Sequence, residues 1–272
     1  MLIAIGLLIG LTLGLTGAGG SVFAVPLLLL LSDMPMADAT GISLGAVAAS
    51  TLYASLRNRF SRTSPPVLWK PGLILALSGV VTAPLGQWLG LQLNERWLMG
   101  SFSLLALLIA VRMWMSAQKN PQAAQVVRAG HFIDIPCPDH LCNLNPSGQF
   151  ELRPRCVNGL LIGGLLVGLL SGLFGVGGGF LVVPLLLALS AVSMAQAVST
   201  SLLIIALISS SGFISHLLLS ETKHWNWLLP VTLGGVLGMI IGQGISHKIA
   251  NALLQKIFAA GLLVVSVMMI FR

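Results

Sequence analysis

Charge is what this chain has least of. Only 8% of its 272 residues are Asp, Glu, Lys or Arg, against about a quarter in an ordinary soluble domain. That leaves too little polar surface to coat a water-soluble globule of this size, which excludes a soluble enzyme and a disordered chain alike. Acidic residues are scarcer still: there are seven, none in the interior of an apolar segment, so the carboxylate proton relay common in pumps is missing. Three cysteines make no even-numbered disulfide framework, and free thiols in a reducing cytoplasm are expected. No G-x-x-x-x-G-K-[ST] run occurs, which removes ATP as a drive supplied by this chain. No cofactor is implied.

What remains is apolar: 56% hydrophobic residues and a mean hydropathy of +0.96. Eight apolar segments can be marked off, at 2–32, 37–56, 71–93, 97–116, 157–190, 195–219, 227–247 and 250–271. Most approach the roughly 20 residues that a helix needs to cross hydrocarbon, and none alternates as a barrel strand would. An all-α polytopic membrane protein is predicted. The first segment lacks a basic leader and is too long for a cleaved signal peptide. The net charge of +7 lies mostly in loops between segments, which points to orientation in the bilayer rather than to nucleic acid.

The chain repeats itself. Gly14–Met36, GLTGAGGSVFAVPLLLLLSDMPM, matches Gly172–Met194, GLFGVGGGFLVVPLLLALSAVSM, at 13 of 23 positions with an offset of 158. A weaker echo at offset 156 pairs Trp69 with Trp225, Gly79 with Gly235, Gly86 with Gly242, Gln87 with Gln243 and Phe102 with Phe258. Residues 1–116 and 157–272 therefore read as two homologous four-segment repeats, a hallmark of secondary transporters. The polar, Pro-rich stretch 117–156 connects them, with a short strand expected at Gln149–Arg153.

Each repeat opens on a glycine run inside an apolar segment: Gly17-Ala18-Gly19-Gly20-Ser21 and Gly175-Val176-Gly177-Gly178-Gly179. Glycine costs a helix about 1 kcal/mol per residue relative to Ala, so both helices should break there. Val22–Leu31 is then a half-length helix, and Pro26 and Pro184 fall near the starts of the second halves, where a missing N–H does no harm. Bare backbone at membrane depth is tolerated only inside protein or beside a water-filled cavity. The freed N–H groups, at a helix end with partial positive charge, form an anion site. The candidate ligands are Gly17, Gly19, Gly20, Ser21 and Val22 from the first run, and Gly175, Gly177, Gly178, Gly179 and Phe180 from the second. Hydroxyls follow at Thr40, Ser43, Ser50 and Thr51, and at Ser199, Thr200, Ser201 and Ser209–Ser211. Gln87 and Gln243 occupy matching places. Against this stands the bland alternative that the glycines merely pack helices closely, and that each hydroxyl bonds its own backbone.

GLTGAGGSVFAVP at 14–26 and GLFGVGGGFLVVP at 172–184, each opening a four-segment repeat, resemble the TauE/SafE family of sulfite exporters, also called TSUP transporters. The likeness covers essentially the whole chain. It implies a multi-pass protein of a prokaryotic inner membrane that moves sulfite, thiosulfate, sulfoacetate or related small sulfur anions. The first copy departs at Ala18 and Ser21, where the second has Val176 and Gly179, so the two half-sites are unequal.

Arg57, Arg59, Arg62 and Lys70 flank the second connection, and Arg112, Lys119, Arg128, Arg153 and Arg155 the fourth. Both connections should face the cytoplasm. Charge does not decide whether the broken segments span, giving parallel repeats, or re-enter as hairpins, giving inverted, pseudo-two-fold related ones. Their half-length second helices favour re-entry. His216 and His247 are expected at the membrane interface, and Gly164 in a regular helix that tolerates substitution. Cys137, His140, Cys142 and Cys156, with His131 upstream, have loose spacing and no second pair, so no metal is expected.

The expected function is a non-enzymatic secondary transporter or facilitator exporting sulfite or an organosulfonate. Uptake of a related sulfur oxyanion or carboxylate is the alternative, and a non-transporting membrane anchor a weaker one. Its partners would be the anion and the lipid bilayer, with no nucleic acid. Assembly into a homo-oligomer is compatible with the composition.

Overall fold

The computed structural model describes residues 2–17, 19–32, 34–60, 67–119, 142, 154–190, 192, 194–220 and 225–246, with single positions from 260 to 268. The regular elements among them are all helical: α1 (Leu2–Thr16), a 3-10 turn (Gly19–Phe23), α2 (Ala24–Ser32), α3 (Met36–Phe60), α4 (Trp69–Gln92), α5 (Glu95–Lys119), α6 (Pro154–Phe174), α7 (Gly179–Leu189), α8 (Met194–Leu219) and α9 (Trp225–Ser246). Helices α3, α4, α6, α8 and α9 are long and apolar enough to cross a bilayer. The protein is an all-α, polytopic membrane protein. The strand expected at Gln149–Arg153 and most of the segment 250–271 lie outside the described residues.

Both glycine runs break their helices, and both chains turn back. Gly159 lies against Leu189, Gly163 against Leu185, and Gly178 against Val167 and Ser171. The order reverses along the two helices, so α7 runs antiparallel to α6. At the first break Gly20 returns to the backbone of Thr12 and Leu13, which a straight helix would leave roughly 12 Å behind. Both breaks are hairpins, the geometry that re-entry requires. Pro26 is the third residue of α2, as expected of a first turn, but Pro184 is the sixth of α7 and lies one turn deeper than expected.

Helices α3 and α8 form the centre, packed on each other and flanked by α4 and α9. Around them the halves of the chain are exchanged: α1 packs on α9, and α6 on α4. A Cβ at Gly6 or Gly10 would overlap the carbonyl oxygens of Val231 or Gly235, and one at Gly168 or Gly172 those of Gly79 or Ala83. Such backbone-to-backbone contact replaces the hydrophobic drive that helices lack inside lipid. Gly164 belongs to this seam: its Cβ would meet Ser78 and lie 2.5 Å from the Leu75 carbonyl oxygen. The expectation that it tolerates substitution is therefore wrong. Leu73, Leu77, Val81 and Leu85 of α4, and Leu229, Leu233, Leu237 and Ile241 of α9, are exposed at i, i+4 spacing. These are lipid-facing stripes.

The open end of the second hairpin carries a strap. Cys142 N–H donates to the Leu189 carbonyl oxygen at 3.0 Å, and Cys142 is disulfide-bonded to Cys156 near the start of α6, with Cα atoms 5.2 Å apart. Because the hairpin returns, the end of α7 sits beside the start of α6, and the two cysteines meet. The expectation of free thiols fails at these two positions, and the bond withdraws both from metal binding. Cys137, His131 and His140 lie outside the described residues. Unreduced, denatured protein should therefore take up one maleimide per chain, at Cys137, and three after reduction. Three labels before reduction in protein purified under air would disprove the bond.

Candidate functional site

The second hairpin tip is built by glycine backbone. Gly175, Gly177 and Gly178 have φ of 68°, 71° and 66°, a left-handed conformation that only glycine adopts without strain. Gly175 N–H closes α6 by donating to the Ser171 carbonyl oxygen at 2.9 Å. Gly178 then opens α7: its carbonyl oxygen accepts from Leu181 and Val182 at 3.0 and 3.2 Å, and no side chain caps it. The amides of Gly177 through Phe180 have no acceptor among the described residues. They are orphan donors of a helix start, carrying its partial positive charge.

Side chains from three helices enclose this tip, which is buried throughout. Ser43 of α3 donates to the Gly175 carbonyl oxygen at 2.7 Å. Thr40 lies against Gly175. From a Cβ built on Gly177, Ser209 Oγ of α8 and a Val47 methyl of α3 would each be 2.8 Å away. Ser171 and Val167 of α6 face Gly178. The hydroxyls of Ser171 and Ser209 are buried without a partner among the described residues, and so is Gln87 Oε1.

The first break is similar in outline and different in detail. Gly17 also has a left-handed φ, 77°, and lies against Val198, the residue that the 158 offset matches to Thr40. Gly19 and Gly20 lead directly into the 3-10 turn with Ser21 and Val22, both of which are fully buried. Gly20 N–H donates to Thr16 Oγ1 at 2.8 Å, so this break holds one of its own amides.

The remaining candidates divide. Thr40 Oγ1 donates to its own helix at Ala37, and Ser201 Oγ to Val198, at 2.7 and 2.8 Å. Ser50 and Thr51 bond Ala46 and Val47 in the same way. Thr200 Oγ1 accepts from Leu68 N–H at 3.1 Å, holding the start of α4. Each of these hydroxyls is thus engaged with backbone. Ser199 is buried, and Gln243 is half-buried with its backbone beside Gly14. Gln87 is buried and its Nε2 lies 3.0 Å from His216 Nδ1. His216, only 7% exposed, is not interfacial as expected. Its ring fills the space left by Gly41, next to Thr40, so Gln87 and His216 adjoin the second tip. His247 lies outside the described residues. Ser171 was missed by sequence reasoning. The signal was the comparison of copies, since Leu13 stands at the matching position.

A cleft of about 530 Å³ lined by Leu29, Met34, Pro35, Asn94, Glu95, Arg96 and Met99 opens beyond the far end of α2 from the break. Glu95 there accepts from Met36 N–H at 3.0 Å, capping α3.

Helices long and apolar enough to cross a bilayer make this a multi-pass membrane protein. The family model described as "Sulfite exporter TauE/SafE" matches residues 2–269, and the chain belongs to that family. It is 30% identical to a "Probable membrane transporter protein" of Xylella fastidiosa over 97% of this chain and 92% of that one. It is 27% identical to the "Probable membrane transporter protein YunE" of Bacillus subtilis, over 100% of this chain and 97% of that one. A "Probable membrane transporter protein" of Haemophilus influenzae is 25% identical, over 98% and 96%. No solved structure matches this chain. The protein is thus a multi-pass membrane transporter.

Gly178→Val combines a β-branched residue at positive φ with a Cβ 2.6 Å from Val167, and should cost about 1–3 kcal/mol or more. Gly20→Val should be damaging through overlap with the Thr12–Leu13 backbone. Gly244→Val, with nothing within 4 Å, should leave the detergent melting temperature close to wild type. Equal melting of all three variants would remove the structural reading of the tips.

Proposed function

We propose that this transporter carries a small sulfur-containing anion, sulfite or an organosulfonate, out of the cell. The observation that carries this reading is the start of α7 at the second tip, whose amides have no acceptor among the described residues and lie beside the hydroxyls of Ser171 and Ser209. An anion in low dielectric must be hydrogen-bonded, and backbone donors at a helix start meet that need without Arg or Lys. The name of the matching family supports sulfite as the type of cargo.

The halves 1–116 and 157–272 act as inverted repeats about a pseudo-two-fold axis. The support is the exchange of contacts: Gly10 meets Gly235, and Gly168 meets Gly79, pairs interconverted by the two sequence offsets. With hairpins re-entering, loops 57–70 and 117–156 and the connection after α9 share one side, which holds eleven of the 14 basic residues. That side is the cytoplasm, and both ends of the chain lie outside. The Cys142–Cys156 bond pulls the other way, since cytoplasmic thiols are usually reduced. Eleven charges outweigh one bond that reduction can open. An anion leaving a negative-inside cell moves downhill by about 2.3 kcal/mol per charge per 100 mV, so export needs no other energy source, and the cargo crosses unchanged.

Counterflow in proteoliposomes tests the reading, with sulfite, thiosulfate, sulfoacetate and acetate offered on the outside. Sulfur anions should exchange at rates at least tenfold above acetate. Preferred exchange of acetate would move the cargo to carboxylates, and no exchange of any sulfur anion would end the proposal.

A further inference from the structure

The two hairpin tips are built from the same motif, but among the described residues it is the second that has buried hydroxyls without a partner beside it, at Ser171 and Ser209. We infer that the transported anion is held at the second tip alone, by the amides at the start of α7 together with the hydroxyls of Ser171 and Ser209, while the first tip is a self-capped structural counterpart. This rests on the reading of the protein as an anion transporter and specifies where and by what the anion is held.

Three substitutions between matched positions break the symmetry. The first is Thr16 against Phe174. Thr16 Oγ1 accepts from Gly20 N–H at 2.8 Å. The matching amide belongs to Gly178, and the matching side chain is Phe174, which has no acceptor and instead packs edge-on against Phe102 at 5.6 Å. The second is Leu13 against Ser171: the residue whose backbone meets Gly20 at the first tip is apolar, where the second has a hydroxyl-bearing serine against Gly178. The third is Thr51 against Ser209. Thr51 Oγ1 donates to the Val47 carbonyl oxygen at 2.6 Å within its own helix, whereas Ser209 Oγ has no partner among the described residues and faces Gly177.

Ser209 is 0% and Ser171 1% exposed. A buried hydroxyl without a partner is destabilising, so two of them on either side of an uncapped helix start need a reason. A bound oxyanion supplies acceptors to both at once. The donors come from α6, α8 and the start of α7, on different sides of the tip. That arrangement suits a pyramidal or tetrahedral anion with oxygens pointing several ways, as in sulfite or a sulfonate, better than the flat edge of a carboxylate.

The test titrates sulfite, thiosulfate and sulfoacetate into purified full-length protein, comparing wild type with Ser209→Ala, Ser171→Ala and Thr51→Val. Ser209→Ala and Ser171→Ala should each weaken binding roughly tenfold or more, the effect of losing one hydrogen bond to a charged group. Their melting temperatures without anion should be equal to or above wild type, because each removes an unpaired polar atom. A merely structural serine would lower the melting temperature instead. Thr51→Val should bind as wild type does. Wild-type affinity in both serine variants would overturn the inference while leaving the transporter reading intact. Equal weakening in Thr51→Val and Ser209→Ala would show both tips binding and overturn the one-sided site. If wild type binds none of the three anions, the underlying reading fails and the inference with it.

Discussion

Inside a bilayer a peptide group has no water to turn to, and each break in a helix must be enclosed by protein. This one requirement organises the molecule. The second tip at Gly175–Gly178 is buried among α3, α6 and α8, and at the first tip Gly20 is buried against α1; the helices can close over them only if backbones approach within contact. Hence the glycine rows on α1, α4, α6 and α9, where added side chains would strike opposing carbonyls. Removing those glycines would push the covering helices outward and expose the very groups they shield. Function and packing are therefore not separable roles for glycine in this chain: one set makes the tips, and the other lets the tips be covered.

Much of this was legible in the sequence. Clustered glycines within apolar segments marked the breaks, because no helix of ordinary stability tolerates three in five residues. The half-length of Val22–Leu31 already favoured re-entry over spanning, and duplication marked the same device twice. What the sequence concealed was pairing across the chain. Gly164 looks like any helical glycine until α4 is placed beside it at Leu75 and Ser78. His216 stands near a helix end, yet Gly41 leaves a hollow that draws the ring into the protein beside Gln87. The disulfide between Cys142 and Cys156 could not be foreseen, since it depends on α7 returning to the level where α6 begins.

Among the candidate ligands, several hydroxyls are engaged with backbone. Thr40, Ser50, Thr51 and Ser201 bond helical carbonyls one turn back, the ordinary fate of a hydroxyl in an apolar helix. Thr200 serves the start of α4. Only when partners are counted do the serines sort into those that are satisfied and those that wait. Near-identity of the two motifs also hid their inequality, because the differences that matter sit outside the glycines, at Thr16 and Phe174 and one turn earlier at Leu13 and Ser171.

The exchange of α1 onto α9 has a consequence for how the protein is made. Gly6 meets Val231, so α1 packs against a helix that is synthesised long after it. At roughly 5–20 residues per second, synthesis of the intervening chain takes tens of seconds. Throughout that time the glycine face of α1 stands open to lipid, whereas α4 and α6 can join once little more than half the chain is out. Assembly must then finish by admitting α1 to a bundle that already exists. The hairpin of α1 and α2 is thus fitted after α9, although it is made long before it.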